Sequence, residues 1–161
     1  MTKYSLVLIL SLFSLLTQAQ LSGSQLKNIS GKMIQSESLF TNSEEPVVLC
    51  FWATWCRPCL QELEAINDEI DDWQEEIRFK MIAISIDNSR SSSKVSALVK
   101  ARDWQFDVYI DENSDLKRAL NVSSIPFCCI IKNGEVIWKH SGYQPGSEEL
   151  ILEKLTELSN K

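Results

Sequence analysis

The sequence predicts a three-layer α/β sandwich with a mixed central sheet. Apolar runs of strand length alternate with amphipathic helical segments along the chain, and a tight turn followed by a last helix completes the pattern. Strands connected through helices form parallel pairs with helices on both faces, whereas a tight turn joins an antiparallel pair. A chain of 161 residues is long enough for one such domain with a sizeable core.

Each element has its own sequence signal. A weak strand signal at residues 32–35 precedes a continuous apolar run at residues 47–52 (VVLCFW), which is typical of a strand buried on both faces. Hydrophobic residues then recur at intervals of three and four, which predicts an amphipathic helix. Those residues are Leu60, Leu63, Ile66, Ile70, Trp73 and Ile77. The remaining predicted elements are strands at 79–86, 106–110, 127–131 and 135–141, and helices near 93–100, 113–120 and 147–158. Asn133-Gly134 between the last two strands is typical of a hairpin turn.

The N-terminus has the composition of a secretory signal peptide. Lys3 supplies a positive start, residues 5–16 are apolar, and small residues at Thr17 and Ala19 offer a cleavage site. The apolar stretch is short for a membrane span, although an uncleaved anchor is the alternative. We therefore predict a cleaved signal peptide at 1–19, a polar lead-in at 20–31 and one domain at 32–161. Such a protein is exported to the periplasm or another extracytoplasmic compartment, where disulfides persist.

The charge balance excludes one class of partner. The formal net charge is −6 at pH 7, and no stripe of basic residues runs along the chain. Proteins that bind nucleic acids need such a stripe to neutralise phosphates. We therefore expect no nucleic-acid partner. The composition, with 44% hydrophobic and 24% charged residues, is that of an ordinary globular protein, and we expect a monomer.

Two cysteines in the segment WCRPC, Cys56 and Cys59, are the candidate reactive groups. Their spacing is compatible with a zinc site, a structural disulfide or a redox centre. A structural zinc ion needs four ligands, and the chain has a single histidine, His140. The adjacent Cys128 and Cys129 point to opposite faces of a strand and cannot chelate together. We therefore expect no metal and no other cofactor.

The position of the cysteine pair favours redox chemistry. Cys56 falls at the turn between a buried strand and a helix, where unpaired backbone N–H groups stabilise an anion. Arg57 adds a positive charge, and Pro58 is tolerated in the first helical turn because its missing N–H costs nothing there. One accessible, low-pKa thiolate beside the shielded Cys59 is the arrangement of a dithiol catalyst. The apolar platform expected from Trp52 and Trp55 around an exposed sulfur disfavours a purely structural disulfide.

Two segments carry a resemblance to a known family. VVLCFWATWCRPC (residues 47–59) followed by SSIPFCCIIKNGEVIWKHSGY (residues 123–143) resembles the exported TlpA/ResA-type thiol–disulfide oxidoreductases, which have a thioredoxin-like fold. The resemblance runs from about residue 32 to the C-terminus. It implies that Cys56 attacks the substrate and Cys59 resolves the intermediate. It also implies a substrate-binding surface formed by Trp55, Arg57, Pro58, the cis-proline dipeptide Ile125-Pro126 and Gly142.

The family pattern implies a function as well. We expect a reductase of disulfides in exported proteins, with cytochrome c maturation clients among the possibilities and a separate, membrane-bound thiol protein as electron donor. The alternatives are the same fold acting as a disulfide oxidant or isomerase, and a non-catalytic module for redox sensing or metal delivery.

Several positions depart from the family pattern. Cys50 occupies the position of a buried aspartate that helps to deprotonate the resolving cysteine, and Glu64 replaces a helix-kinking proline. Cys128 and Cys129 stand where aliphatic residues are usual, whereas Glu62 matches a glutamate common in the exported group. We expect the three additional cysteines to pack as small hydrophobes. The alternative is a secondary redox pair between Cys50 and one member of the doublet.

Overall fold

A computed structural model describes residues 23–40 and 43–160. The strands are β1 (Gln25–Asn28), β2 (Met33–Gln35), β3 (Val47–Trp52), β4 (Lys80–Ser85), β5 (Asp107–Ile110), β6 (Phe127–Lys132) and β7 (Glu135–Ser141). The helices are a 3₁₀ helix (Ser36–Leu39), α1 (Arg57–Glu76), α2 (Ser92–Arg102), α3 (Asp115–Ala119) and α4 (Glu149–Ser159). The seven strands form one sheet in the order β2-β1-β5-β4-β3-β6-β7. This architecture confirms the predicted α/β sandwich.

The sheet is mixed, as predicted. The pairs β3–β4 and β4–β5 are parallel, because helices α1 and α2 connect their strands. The pairs β3–β6 and β6–β7 are antiparallel. Asn133 and Gly134 both have positive φ angles, 53° and 75°, as a tight hairpin turn requires. The most deeply buried strand is β3, all of whose residues are buried, so the loop that follows β3 emerges from the centre of the sheet.

The alternation of side chains along β3 divides the core into two layers. Cys50 and its alternate neighbours in β3 pack against α1, α2 and α4. Leu49 and the other set pack against the 3₁₀ helix and α3. The same alternation in β6 sends Cys128 to the first layer and Cys129 to the second, which confirms that this adjacent pair faces in opposite directions.

Helix α1 is continuous over 20 residues. Its apolar stripe (Leu63, Ile66, Ile70 and Trp73) is buried, as the sequence period predicts. The helix passes Glu64 without interruption, and Glu64 forms an ion pair with Arg102 at the end of α2.

The N-terminal region differs in part from the sequence prediction. The polar lead-in at 20–31 contributes β1 to the sheet, where it pairs with β2 and β5. Leu26 is the single buried residue of β1, so the strand has no apolar alternation that the sequence could display. The predicted signal peptide at 1–19 lies outside the described residues. Within the part of the chain that the structure describes, no helix is long and apolar enough to cross a membrane.

Candidate active site

Cys56 and Cys59 form a disulfide at the N-terminus of α1. Cys56 is the N-cap residue, and its Sγ accepts a hydrogen bond of 3.3 Å from the backbone N–H of Cys59. After reduction, that N–H and the positive end of the helix dipole stabilise a thiolate on Cys56. Cys59 is fully buried, whereas Cys56 keeps 6% of its surface exposed. The exposed surface of this cysteine pair therefore belongs to Cys56.

The loop between β3 and Cys56 is anchored by Asp87, which follows β4 and is fully buried. The Asp87 carboxylate accepts hydrogen bonds from the backbone N–H of Thr54 (2.8 Å) and from the Thr54 hydroxyl (2.7 Å). The Ser85 hydroxyl donates a third, of 2.7 Å. Three hydrogen bonds to one buried carboxyl group fix the loop that carries Cys56. The sequence analysis missed Asp87, because only the fold brings it beside Thr54.

The second half of the site is formed by the residues just before β6 and just after β7. The Ile125-Pro126 peptide bond is cis. Phe127 pairs with Phe51, so Pro126 lies level with the end of β3, where the cysteine loop begins. The backbone N–H of Gly142 donates a 2.9 Å hydrogen bond to the Pro126 carbonyl. The structure thus places Ile125, Pro126 and Gly142 at the end of the sheet where β3 ends and the cysteine loop begins.

The surface around this end of the sheet is open. Trp55 is 67% exposed, and Arg57 and Pro58 are exposed beside it. Gly142 has a φ of +84°, and a Cβ atom built there would meet nothing within 4 Å. The backbone conformation therefore favours glycine at 142, and the space above it is free.

Cys50 and Cys128 form a second disulfide, with a Cα–Cα distance of 4.1 Å. The two residues stand directly opposite each other in the β3–β6 register, and both are fully buried. The expectation that they pack as unpaired hydrophobes is wrong, because opposite side chains in an antiparallel pair approach closely. The alternative pairing of Cys50 with one member of the doublet is the one observed. Cys129 stays unpaired among apolar side chains, and burial raises the pKa of its thiol to about 12.

Glu62 is a buried carboxyl group, 2% exposed, one turn beyond Cys59 on α1. Burial, and secondarily the charge of Glu148, raise its pKa from 4.5 to about 8. Its Oε2 lies 3.5 Å from the Sγ of Cys128. A disulfide sulfur carries no proton, so the protonated carboxyl is the donor in this contact. Sequence spacing does contain a signal for this burial, since Glu62 falls on the stripe of Cys59, Leu63 and Ile66.

His140 lies on β7 and stacks against the ring of Trp138, with 5.9 Å between centroids. Among the described residues, the group that could supply three ligands to a metal ion is Cys50, Glu62 and Cys128. The two sulfur atoms of that group are bonded to each other. In this oxidised form they are not available as thiolate ligands.

Comparison with known proteins agrees with this geometry. The family model described as AhpC/TSA matches residues 18–139. The chain belongs to the AhpC/TSA family. The thiol-disulfide oxidoreductase ResA of Bacillus cereus is 30% identical over 131 residues, which cover 80% of this chain and 72% of that protein. This AhpC/TSA protein is therefore a thioredoxin-like thiol–disulfide oxidoreductase.

Solved structures show the same fold. A thioredoxin-like protein from Porphyromonas gingivalis superimposes with a TM-score of 0.76 and 41% identity, covering 88% of this chain and 93% of the other. StoA from Bacillus subtilis gives a TM-score of 0.62 at 23% identity, covering 80% and 92% of the two chains.

Replacing Thr54 by valine tests the anchor of the cysteine loop. The Thr54→Val protein loses the hydroxyl that donates to Asp87 and leaves a buried carboxylate oxygen without that partner. We expect its free energy of unfolding, measured by guanidinium denaturation of the oxidised protein, to fall by about 2 kcal/mol. Thr54→Ser retains the hydroxyl and serves as the matched control. Equal stability of the valine and serine variants would contradict the anchoring role.

The raised pKa of Glu62 makes stability dependent on pH. The unfolded chain releases this proton near the ordinary carboxyl pKa of 4.5, whereas the folded protein holds it up to about 8. Between those values the folded state binds more protons, so the free energy of unfolding falls as pH rises, by up to about 1.4 kcal/mol per pH unit for one proton.

Glu62→Gln removes this titration and retains the shape of the side chain. We expect the stability of the variant relative to the parent to increase between pH 5 and 8 and then to level off, as measured by denaturation with both disulfides intact. Glu148 and Tyr143, which interact electrostatically with Glu62, are present in both proteins. Parallel stability curves across this range would rule out the raised pKa.

Proposed function

We propose that Cys56 and Cys59 are the catalytic dithiol of a reductase that acts on disulfides of exported proteins. The observation that carries the proposal is the Cys56–Cys59 disulfide at the N-terminus of α1, with the Cys56 side reachable from solvent and Cys59 enclosed. The family relationship supports thiol–disulfide exchange. The difference in burial supports Cys56 as the attacking cysteine and Cys59 as the resolving one.

The reaction begins with the reduced pair. The Cys56 thiolate attacks one sulfur of the client disulfide, and the other client sulfur leaves as a thiolate that takes up a proton. Cys59 then loses its proton and attacks the Sγ of Cys56, which releases the second client sulfur. The client gains two electrons and two protons, and the enzyme is left with the Cys56–Cys59 disulfide. A separate, membrane-bound thiol protein supplies the electron pair that restores the dithiol.

Glu62 is the group that we assign to proton transfer at Cys59. A fully buried thiol is difficult to ionise without a nearby base. Cys50, at the position of the family's buried aspartate, is held in a disulfide and has no proton to exchange. Glu62 lies one turn along the same helix face as Cys59, within the range of side-chain contact. Its pKa of about 8 suits proton exchange near neutral pH.

The client segment lies, in this proposal, between two exposed loops. Trp55, Arg57 and Pro58 provide an apolar and positively charged border on one side. Pro126 and Gly142 provide backbone on the other side, joined by the hydrogen bond between them. The free space above Gly142 leaves room for an extended peptide.

Export is the other part of the proposal and rests on the N-terminal sequence, with Lys3 followed by the apolar residues 5–16. In an oxidising compartment a reductase requires a dedicated electron donor, because the surroundings favour the disulfide. Apoproteins of c-type cytochromes, whose cysteines must be reduced before haem attachment, are suitable clients.

Single cysteine variants test the roles of the two sulfurs. Cys59→Ser retains the attacking thiolate and lacks the resolving one, so it should accumulate a mixed disulfide with a disulfide-bearing test protein. Cys56→Ser should form no such adduct and should reduce the test protein at the background rate. Adducts are counted by mass spectrometry of acid-quenched samples. Adduct formation by Cys56→Ser, and none by Cys59→Ser, would reverse the assignment.

The direction of the reaction follows from the midpoint potential of the Cys56–Cys59 pair. We expect a value near that of thioredoxin, about −270 mV, in a dithiothreitol titration. A value near that of a strong oxidant, about −120 mV, would make the protein an oxidase or isomerase.

A further inference from the structure

The second disulfide lies in the same buried cluster as the proposed catalytic pair. Cys50 is on β3, which leads into the cysteine loop, and Cys128 is on β6, just after Pro126. Both sulfurs face α1 and belong to the same buried cluster as Cys56 and Cys59. The bond therefore joins the two strands that carry the two halves of the site.

A purely structural role explains little of this placement. Strands β3 and β6 are already paired over five positions in the centre of the sheet, so their association does not depend on a covalent link. Once Cys56–Cys59 is reduced, the same buried cluster contains the thiol of Cys59, and the Glu62 carboxyl beside Cys128 can supply a proton to a leaving sulfur.

Glu62 contacts the second disulfide and lies one helical turn from Cys59. Its carboxyl oxygen and the sulfurs of Cys50 and Cys128 all lie within 4.8 Å of one another. On α1 the same residue is one turn from Cys59, so its side chain and that of Cys59 are neighbours. Burial, and secondarily the negative charge of Glu148, keep its carboxyl protonated at neutral pH. A thiolate released in this apolar layer would be costly, and proton transfer from Glu62 removes that cost.

We propose that Cys50–Cys128 is a second redox-active disulfide, which exchanges an electron pair with the Cys56/Cys59 dithiol within one molecule. This inference rests on the proposed function, because the active-site dithiol is the reductant. The protein then stores two electron pairs. After one client has been reduced, the Cys50/Cys128 dithiol can restore the Cys56/Cys59 dithiol by the reverse reaction.

The exchange balances as follows. Cys59 loses a proton and attacks the Sγ of Cys50, and Cys128 leaves as a thiolate. The Cys128 thiolate takes the proton of Glu62, and Glu62 then takes up the proton that Cys59 lost. Cys56 then attacks the Sγ of Cys59 and releases Cys50, which takes up the proton given up by Cys56. Two electrons and two protons have moved from the outer pair to the inner pair.

Cys129 provides an internal control for the test. It lies on the opposite face of β6 from Cys128, is 1% exposed and has a thiol pKa raised to about 12. It cannot take part in the exchange, and it resists alkylation while the protein stays folded. Alkylation of Cys129 before denaturation therefore reports unfolding.

The experiment is a redox titration of the purified protein with dithiothreitol, followed by acid quenching, denaturation, alkylation and peptide mapping of each cysteine. We expect both disulfides to open in the unaltered protein. In the Cys56→Ser/Cys59→Ser double variant, we expect reduction of Cys50–Cys128 to slow by roughly a hundredfold, because the reagent has no access to the buried bond except through the outer pair. A parallel sample, alkylated before denaturation, checks through Cys129 that each protein is folded.

Two results would overturn the inference. Either Cys50–Cys128 stays oxidised when Cys56–Cys59 is fully reduced, or it is reduced equally fast in the folded double variant. The first result needs no substitution, so it holds whether or not the double variant folds. A failure of the proposed function would look different, because Cys56–Cys59 would then open in the titration but form no adduct with a client.

Discussion

The antiparallel register of β3 against β6 is the constraint on which the site depends. Because Cys50 pairs with Cys128, their side chains meet on the face of the sheet that packs against α1 and form a bond. The same register sets Pro126 level with the last residue of β3, so the proline loop and the cysteine loop emerge side by side. A shift by one residue would turn Cys128 to the opposite face and bring Cys129 into its place.

The electrostatics of α1 place two acidic groups in opposite situations. Cys56 caps the helix, where backbone N–H groups favour its anion. Glu62 lies inside the first turns of the same helix, where burial favours its neutral form. The exposed end of α1 thus favours an anion, whereas its buried face favours a carboxyl that holds its proton near neutral pH. In the proposed mechanism, this difference assigns nucleophilic attack to Cys56 and proton transfer to Glu62.

Local patterns in the sequence account for most of the fold. The run at 47–52, the spacing of Leu63, Ile66, Ile70 and Trp73, and the Asn133-Gly134 turn each depend on interactions within a few residues, and each corresponds to an observed element. Strand β1 has no such pattern because one buried residue, Leu26, cannot display a period. Its place in the sheet depends on pairing with a strand distant in sequence.

The sequence predicts those parts of the site that depend on residues close together in the chain. The positions of Cys56 and Cys59 at a helix N-terminus follow from the change of period after residue 52. The Asp87–Thr54 contact and the Cys50–Cys128 bond depend on which strands are neighbours and in what register, and a single sequence does not contain that information. The doublet at 128 and 129 illustrates the difference. Strand alternation predicts that its members face apart, yet only the pairing with β3 decides that Cys128 has a partner and Cys129 has none.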